Sequence, residues 1–123
     1  METDPTGRQP GEPGAKLDDG KNRVGLMVAG FPDALCDVAE VTTFGARKYS
    51  PHGWRTVPDG IDRYTDALYR HLLAHARGET HDHDSGLPHL AHAAWNCLAV
   101  LQLIRQGKQR PVCCHGMQTG ISD

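Results

Sequence analysis

Two carboxylates three residues apart, Asp37 and Glu40, lie in a stretch with helical periodicity. At that spacing they stand one turn apart on a helix and can face the same object. A second set follows downstream, with His89, His92 and Asn96 recurring on one helical face behind Asp82 and Asp84. If the two helices pack antiparallel, carboxylates of one meet imidazoles of the other, and together they offer oxygen and nitrogen ligands to a divalent cation. Carboxylates hold Mg²⁺ or Mn²⁺ with several waters retained, and such an ion bridges phosphates and lowers the pKa of an attacking water. Asp37, Glu40, Asp84, His89 and His92 are therefore the candidate metal ligands, and Asp37, Glu40, His89 and His92 the candidate catalytic groups. The alternative is structural: histidines hydrogen-bonded inside a bundle, and carboxylates on a solvated helix face.

The cations have a different distribution. Lys16, Lys21 and Arg23 precede the first long helix, Arg47 and Lys48 end it, Arg55 lies in the next loop, and Arg63 and Arg70 fall on the following helix. A triphosphate is the kind of ligand that such groups neutralise, by bidentate Arg and point-charge Lys contacts. Lys16, Lys21, Lys48, Arg55 and Arg70 are the candidates. Aromatic residues make up only 6% of the chain, so Tyr49 and Trp54, flanking one loop, are candidates for stacking on a base. Trp54 serves equally well as a plug fixing that loop to the bundle.

The elements that must carry these groups are helical. The first helix should span about 32–49, with Pro32 at a first-turn position, Asp33 beside the positive helix end, and Leu35, Val38, Thr42 and Gly45 or Ala46 as its buried stripe. Two prolines and two glycines make residues 50–60 a loop. The second helix, about 60–77, begins after Asp59 as N-cap, presents Tyr64, Leu68, Leu72 and His75 on one face, and is closed by Gly78. A polar connection then leads into the third and most apolar helix, about 85–106, capped by Asp84 or Ser85. Val24 to Ala29 carries one weak helical turn. These patterns define an all-α fold, a small helical bundle. Its domain is expected over 16–107, between a Pro- and Gly-rich disordered arm at 1–15 and an irregular tail at 108–123 that holds the Cys113–Cys114 pair. Three helices give a small core, and the third is apolar nearly all round, so a homo-oligomer, dimer or tetramer, is expected to bury its second face.

With 123 residues and a net charge of −2, the chain has the size of one domain and no basic field for duplex nucleic acid. The first twenty residues contain no apolar run of the kind a signal peptide needs, and the stretch from Ala91 to Ile104 is too polar to cross a bilayer. A soluble, cytoplasmic protein without a membrane partner is the expectation. Four Cys in neither a disulfide framework nor a CxxC arrangement read as reduced thiols.

Several strings carry a resemblance. Gly45-Ala46-Arg47-Lys48-Tyr49 with Trp54, Arg63-Tyr64, Asp66-Ala67, Arg70-His71, Gly78-Glu79, and the run Asp84-Ser85-Gly86-Leu87-Pro88-His89-Leu90-Ala91-His92 with Asn96 are similar to a phage-borne family, the dATP/dGTP diphosphohydrolase N-terminal domain. That family is related to the all-α MazG-like nucleoside triphosphate pyrophosphohydrolases. The resemblance implies an oligomeric helical bundle that hydrolyses a deoxypurine triphosphate to monophosphate and pyrophosphate with Mg²⁺ (or Mn²⁺), in the cytoplasm of a bacterial or phage-infected cell. It adds His71 and Asn96 to the substrate-binding set. MazG-like enzymes carry E-E-x-x-E on one helix and E-x-x-D on the next, whereas this chain reads Cys36-Asp37-Val38-Ala39-Glu40 and His89-Leu90-Ala91-His92. Imidazole suits transition metals better than Mg²⁺. The depleted acidic motif motivates a second expectation, a nucleotide-binding protein that sequesters or senses its ligand without turnover.

Overall fold

The computed structural model describes residues 4–108; residues 1–3 and 109–123, with Cys113, Cys114 and most of the expected tail, lie outside the described residues. Four α-helices are formed: α1 (Val24–Gly30), α2 (Pro32–Lys48), α3 (Gly60–Ala76) and α4 (His89–Arg105), with a 3₁₀ turn over Gly53–Thr56. Among the described residues the only extended pairing is an isolated bridge between His81 and Pro88, and the fold is all-α. The chain divides into two compact units, one up to Pro32 and one from Asp33.

Within the amino-terminal unit, a series of turns leads from Asp4 to Arg23. Asp4 is buried, and its carboxylate accepts from the backbone N–H groups of Thr6 and Lys16, at 2.6 Å each, which closes the first of them. The short α1 that follows leaves Val24, Leu26, Met27 and Val28 exposed.

The second unit is built on α3 and α4. On α3 the half-buried and buried positions include Ile61, Tyr64, Leu68, His71 and Ala74, a stripe at i, i+3, i+7, i+10 and i+13. This differs from the expected face: Leu72 and His75 are exposed, because the stripe that meets α4 runs through His71. On α4 the covered stripe is His89, Ala93, Asn96, Ala99 and Leu103, in which the two alanines let α3 approach closely. Leu103, at 2% exposure, lies against the start of α3, where a Cβ on Gly60 would stand 3.1 Å from its Cδ1. Trp95 joins the elements laterally: its ring meets Trp54 of the 3₁₀ turn edge-on at 5.7 Å and Tyr64 of α3 at 5.6 Å.

Both helices end in the same way. Gly78 (φ +92°) and Gly107 (φ +81°) adopt the left-handed conformation, and paired bonds, Gly78 N–H to His75 and Glu79 N–H to Ala74 after α3, Gly107 N–H to Ile104 and Lys108 N–H to Leu103 after α4, satisfy the last carbonyls. Asp59 does precede α3, but with φ +55° and no side-chain cap; its carbonyl accepts from Arg63 instead. The start of α4 also differs from expectation. It begins at His89 rather than near 85, because Asp82 accepts from the Ser85 N–H, Gly86 turns at φ +73°, and Pro88 takes the N-cap position.

α2 turns Val41 inward, the one residue of this helix that is buried. Thr42, expected in the stripe, is exposed and donates its hydroxyl to the Val38 carbonyl. The helix touches the rest of its unit through Phe44, edge-on to the His92 ring at 6.5 Å, and through Lys48, whose Nζ is 2.7 Å from Asp84 Oδ2.

Leu103→Ala should lower unfolding stability by about 2–5 kcal/mol through the cavity it leaves between α3 and α4. Urea titration followed by far-UV circular dichroism measures this, and a loss below about 1 kcal/mol would place the packing centre elsewhere.

Candidate functional site

The loop between α3 and α4 folds back on itself. Asp82 N–H donates to Leu87 O and Gly86 N–H to Asp82 O, both at 2.8 Å, and His89 N–H donates to Thr80 O at 2.9 Å. These bonds bring Glu79 and Asp82 beside the first turn of α4, opposite His71 on α3.

Three imidazoles meet there. His71 Nδ1 and His89 Nδ1 are 2.8 Å apart, and the rings of His71 and His92 stack at 4.5 Å with 7° between their planes. His89 is buried, and its Nε2 lies 3.0 Å from Glu79 Oε2. An ionised carboxylate only accepts, so His89 Nε2 carries the proton and its Nδ1 presents a lone pair to His71. Glu79 also receives His83 Nε2 on its other oxygen at 2.5 Å. On the far side, Ser85 Oγ accepts from Leu87 N–H and lies 2.6 Å from His92 Nε2. Ligand atoms of His71, Asp82 and His89 all lie within 4.8 Å of one another.

The electrostatics follow from this crowding. Burial lowers the pKa of His71 to about 4, with the neighbouring His92 adding to the effect, and burial also depresses His92. The hydrogen bond from His89 holds Glu79 below the usual carboxylate range. Burial opposes ionisation of Asp82, but the bonds from Ser85, backbone and hydroxyl, outweigh it and leave its carboxyl lowered. Lys48 is raised by its hydrogen bond to Asp84.

Of the residues singled out from sequence, His71, His89 and His92 are brought together, with Asp84 at the rim in its pair with Lys48. Asn96 is buried one turn further along α4 and donates to the His92 carbonyl at 2.8 Å. Asp37, half-buried, and Glu40, exposed, stand on α2 and are not among the three converging ligands. Tyr49 is exposed, with Lys48 Nζ 5.5 Å from its ring centre. Trp54 packs on Trp95, and Arg55 lies over the Trp54 ring at 5.5 Å. Arg70 is exposed on α3, while Lys16 and Lys21 belong to the amino-terminal unit. Cys36 and Cys97 are free thiols. A cavity of about 230 Å³ lined by Arg55, Val57, Ile61 and Leu103, among others, opens at the other end of α3, about 15 Å of helical rise from His71. Glu79, Asp82 and Ser85 were not among the site residues read from sequence. The signals for Glu79 were its place directly after the glycine that closes α3 and the Gly78-Glu79 string of the family resemblance.

No described helix is long and apolar enough to cross a membrane. The helical unit with its histidine–carboxylate cluster can be compared with known proteins. The model of the family described as dATP/dGTP diphosphohydrolase, N-terminal, matches residues 11–111. The chain belongs to that family. A dATP/dGTP diphosphohydrolase of Salmonella phage PMBT28 is 34% identical over 91 residues, which cover 74% of this chain and 30% of the relative. The chain thus spans under a third of that relative's length. No solved structure matches.

In chelator-containing buffer, stability should fall as pH drops from about 6.5 to about 4. The unfolded His71 ring takes up its proton near 6.5 and the folded one only near 4, so the unfolded state binds more protons across this window and the contribution is complete above it. Urea midpoints measured along that range should decline, and His71→Gln should flatten part of the decline. An unchanged slope in the variant would remove His71 as its source.

Proposed function

We propose that this chain takes part in the metal-dependent hydrolysis of a deoxypurine nucleoside triphosphate, dATP or dGTP, to the monophosphate and pyrophosphate. The observation that carries the reading is the match over residues 11–111 to a family described by that activity. Lys48, held by Asp84 at the rim of the histidine cluster, supports it.

In this reading Lys48, Arg55 and Arg70 neutralise the phosphates, and water attacks the α-phosphorus, the geometry being set by charge complementarity rather than by a covalent intermediate. Tyr49, with its exposed ring, is the better base-stacking group, since Trp54 is occupied by Trp95. Asp37 and Glu40, one turn apart on α2, fit a hard ion that keeps its waters, Mg²⁺ or Mn²⁺. Such an ion supplies phosphate bridging and a more acidic bound water.

Incubating the pure chain with each dNTP and Mg²⁺ or Mn²⁺ should release dAMP or dGMP and pyrophosphate in equal amounts. Asp37→Asn or Glu40→Gln should lower kcat by roughly 100-fold or more, the scale of losing a group that acts in the transition state. No product from any dNTP ends this reading.

A second reading is nucleotide binding without turnover. The chain covers only 30% of its phage relative, and Cys36 and Asp37 stand where the MazG-like pattern has two glutamates, which removes one carboxylate. Calorimetric binding of dATP or dGTP that EDTA leaves unchanged, with no product formed, selects it.

The same proposal includes self-association. Leu98, Leu101 and Ile104 on α4 and Tyr69, Leu72 and Leu73 on α3 are exposed apolar rows, of the kind that mark an interface. Sedimentation velocity should give a dimer or tetramer that Leu101→Glu shifts toward monomer; a monomeric wild type would overturn this part.

A further inference from the structure

We propose that His71, Asp82 and His89 form a binding site for one transition-metal ion of the Zn²⁺ or Co²⁺ type, with Glu79 orienting His89 from behind. The inference rests on the geometry of the cluster and not on the hydrolytic reading.

The donors are two imidazoles and one carboxylate whose ligand atoms lie within 4.8 Å of one another. That set suits borderline ions, whereas Mg²⁺ prefers oxygen. Two metal–nitrogen bonds of about 2.0–2.1 Å place their nitrogens about 2.9–3.3 Å apart at angles from 90° to tetrahedral. The two Nδ1 atoms stand at 2.8 Å, so the rings need to part by only about half an ångström or less. The two nitrogens are joined by a hydrogen bond across this gap, and a cation would take the place of its proton.

Glu79 strengthens the assignment. His89 is buried, with 6% of its side chain exposed, and Glu79 accepts its Nε2–H at 3.0 Å. This bond fixes the tautomer that leaves Nδ1 bare, the arrangement found behind metal-bound histidines. Asp82 is likewise positioned, since one of its oxygens accepts the N–H groups of Ser85 and Asp84 at 2.9 and 3.1 Å. His92 covers His71 by stacking on it, and its own Nε2 is engaged by Ser85. Three protein ligands leave at least one coordination position for water or a further oxygen ligand. The site is thus separate from the Asp37–Glu40 pair on α2.

The test is direct metal binding by the full chain, stripped with chelator, in the absence of nucleotide. Titration with Co²⁺ should develop visible d–d absorption saturating at one ion per chain, Zn²⁺ should displace it, and millimolar Mg²⁺ should not. His71→Gln, Asp82→Asn and His89→Gln should each weaken Co²⁺ binding by about 100-fold or more, and Glu79→Gln by about 10–100-fold with the stoichiometry kept. His75→Gln, on the exposed face of α3, should bind as wild type. Circular dichroism monitors each fold, and if His89→Gln does not fold, the half-buried His71 and Asp82 variants decide. No saturable Co²⁺ absorption, saturation unaffected by His71→Gln and Asp82→Asn, or Mg²⁺ competing on equal terms overturns the proposal. Because no nucleotide is present, its failure leaves the hydrolytic reading intact, and absence of dNTP turnover leaves this site intact.

Discussion

The buried imidazole of His89 is the constraint on which the rest of this site depends. A ring taken out of water must have both nitrogens satisfied, and here one is met by Glu79 from the loop and the other by His71 from α3. That requirement ties the end of α3, the loop and the beginning of α4 into one arrangement. The Schellman turn at Gly78 is what carries Glu79 into reach, and the bond from Thr80 O to His89 N–H closes the loop over the helix start. Four of the seven buried apolar residues described are alanines, Ala74, Ala91, Ala93 and Ala99, and the polar cluster adds a specification of register that alanines alone would leave loosely determined.

The two ends of the α3–α4 pair do different work. At one end Leu103, Ile61 and the Trp54–Trp95–Tyr64 rings supply apolar packing. At the other, imidazoles and carboxylates replace it, with burial lowering His71 and His92 and hydrogen bonds holding Glu79 and Asp82 low. α2 is held to this pair by the Phe44–His92 contact and the Lys48–Asp84 ion pair, with Val41 as its buried residue. α3 and α4 carry exposed apolar rows, Tyr69, Leu72 and Leu73 on one and Leu98, Leu101 and Ile104 on the other.

The helices were legible because their apolar positions repeat at helical spacing and because glycines follow α3 and α4 directly. α2 and α3 appear within a residue of their expected limits. The start of α4 was not legible, since Asp84 and Ser85 are good caps in isolation and only the fold of the loop assigns them to a turn. The buried face of α3 was misread for a similar reason: Leu72 is apolar and His71 is not, yet the paired histidines make His71 the inward residue.

Sequence alone determined the all-α class, the positions of the long helices, and the grouping of His71, His89 and His92 through strings shared with a phage family. Helical periodicity and capping are local and need no partner to be recognised. Tertiary structure decided which groups meet: Asp82 rather than Asp37 or Glu40 joins His71 and His89, Glu79 orients His89, and Trp54 serves the core. Those outcomes depend on how the twelve-residue connection from Arg77 to Pro88 satisfies its own backbone hydrogen bonds, a long-range condition that no spacing along the chain encodes.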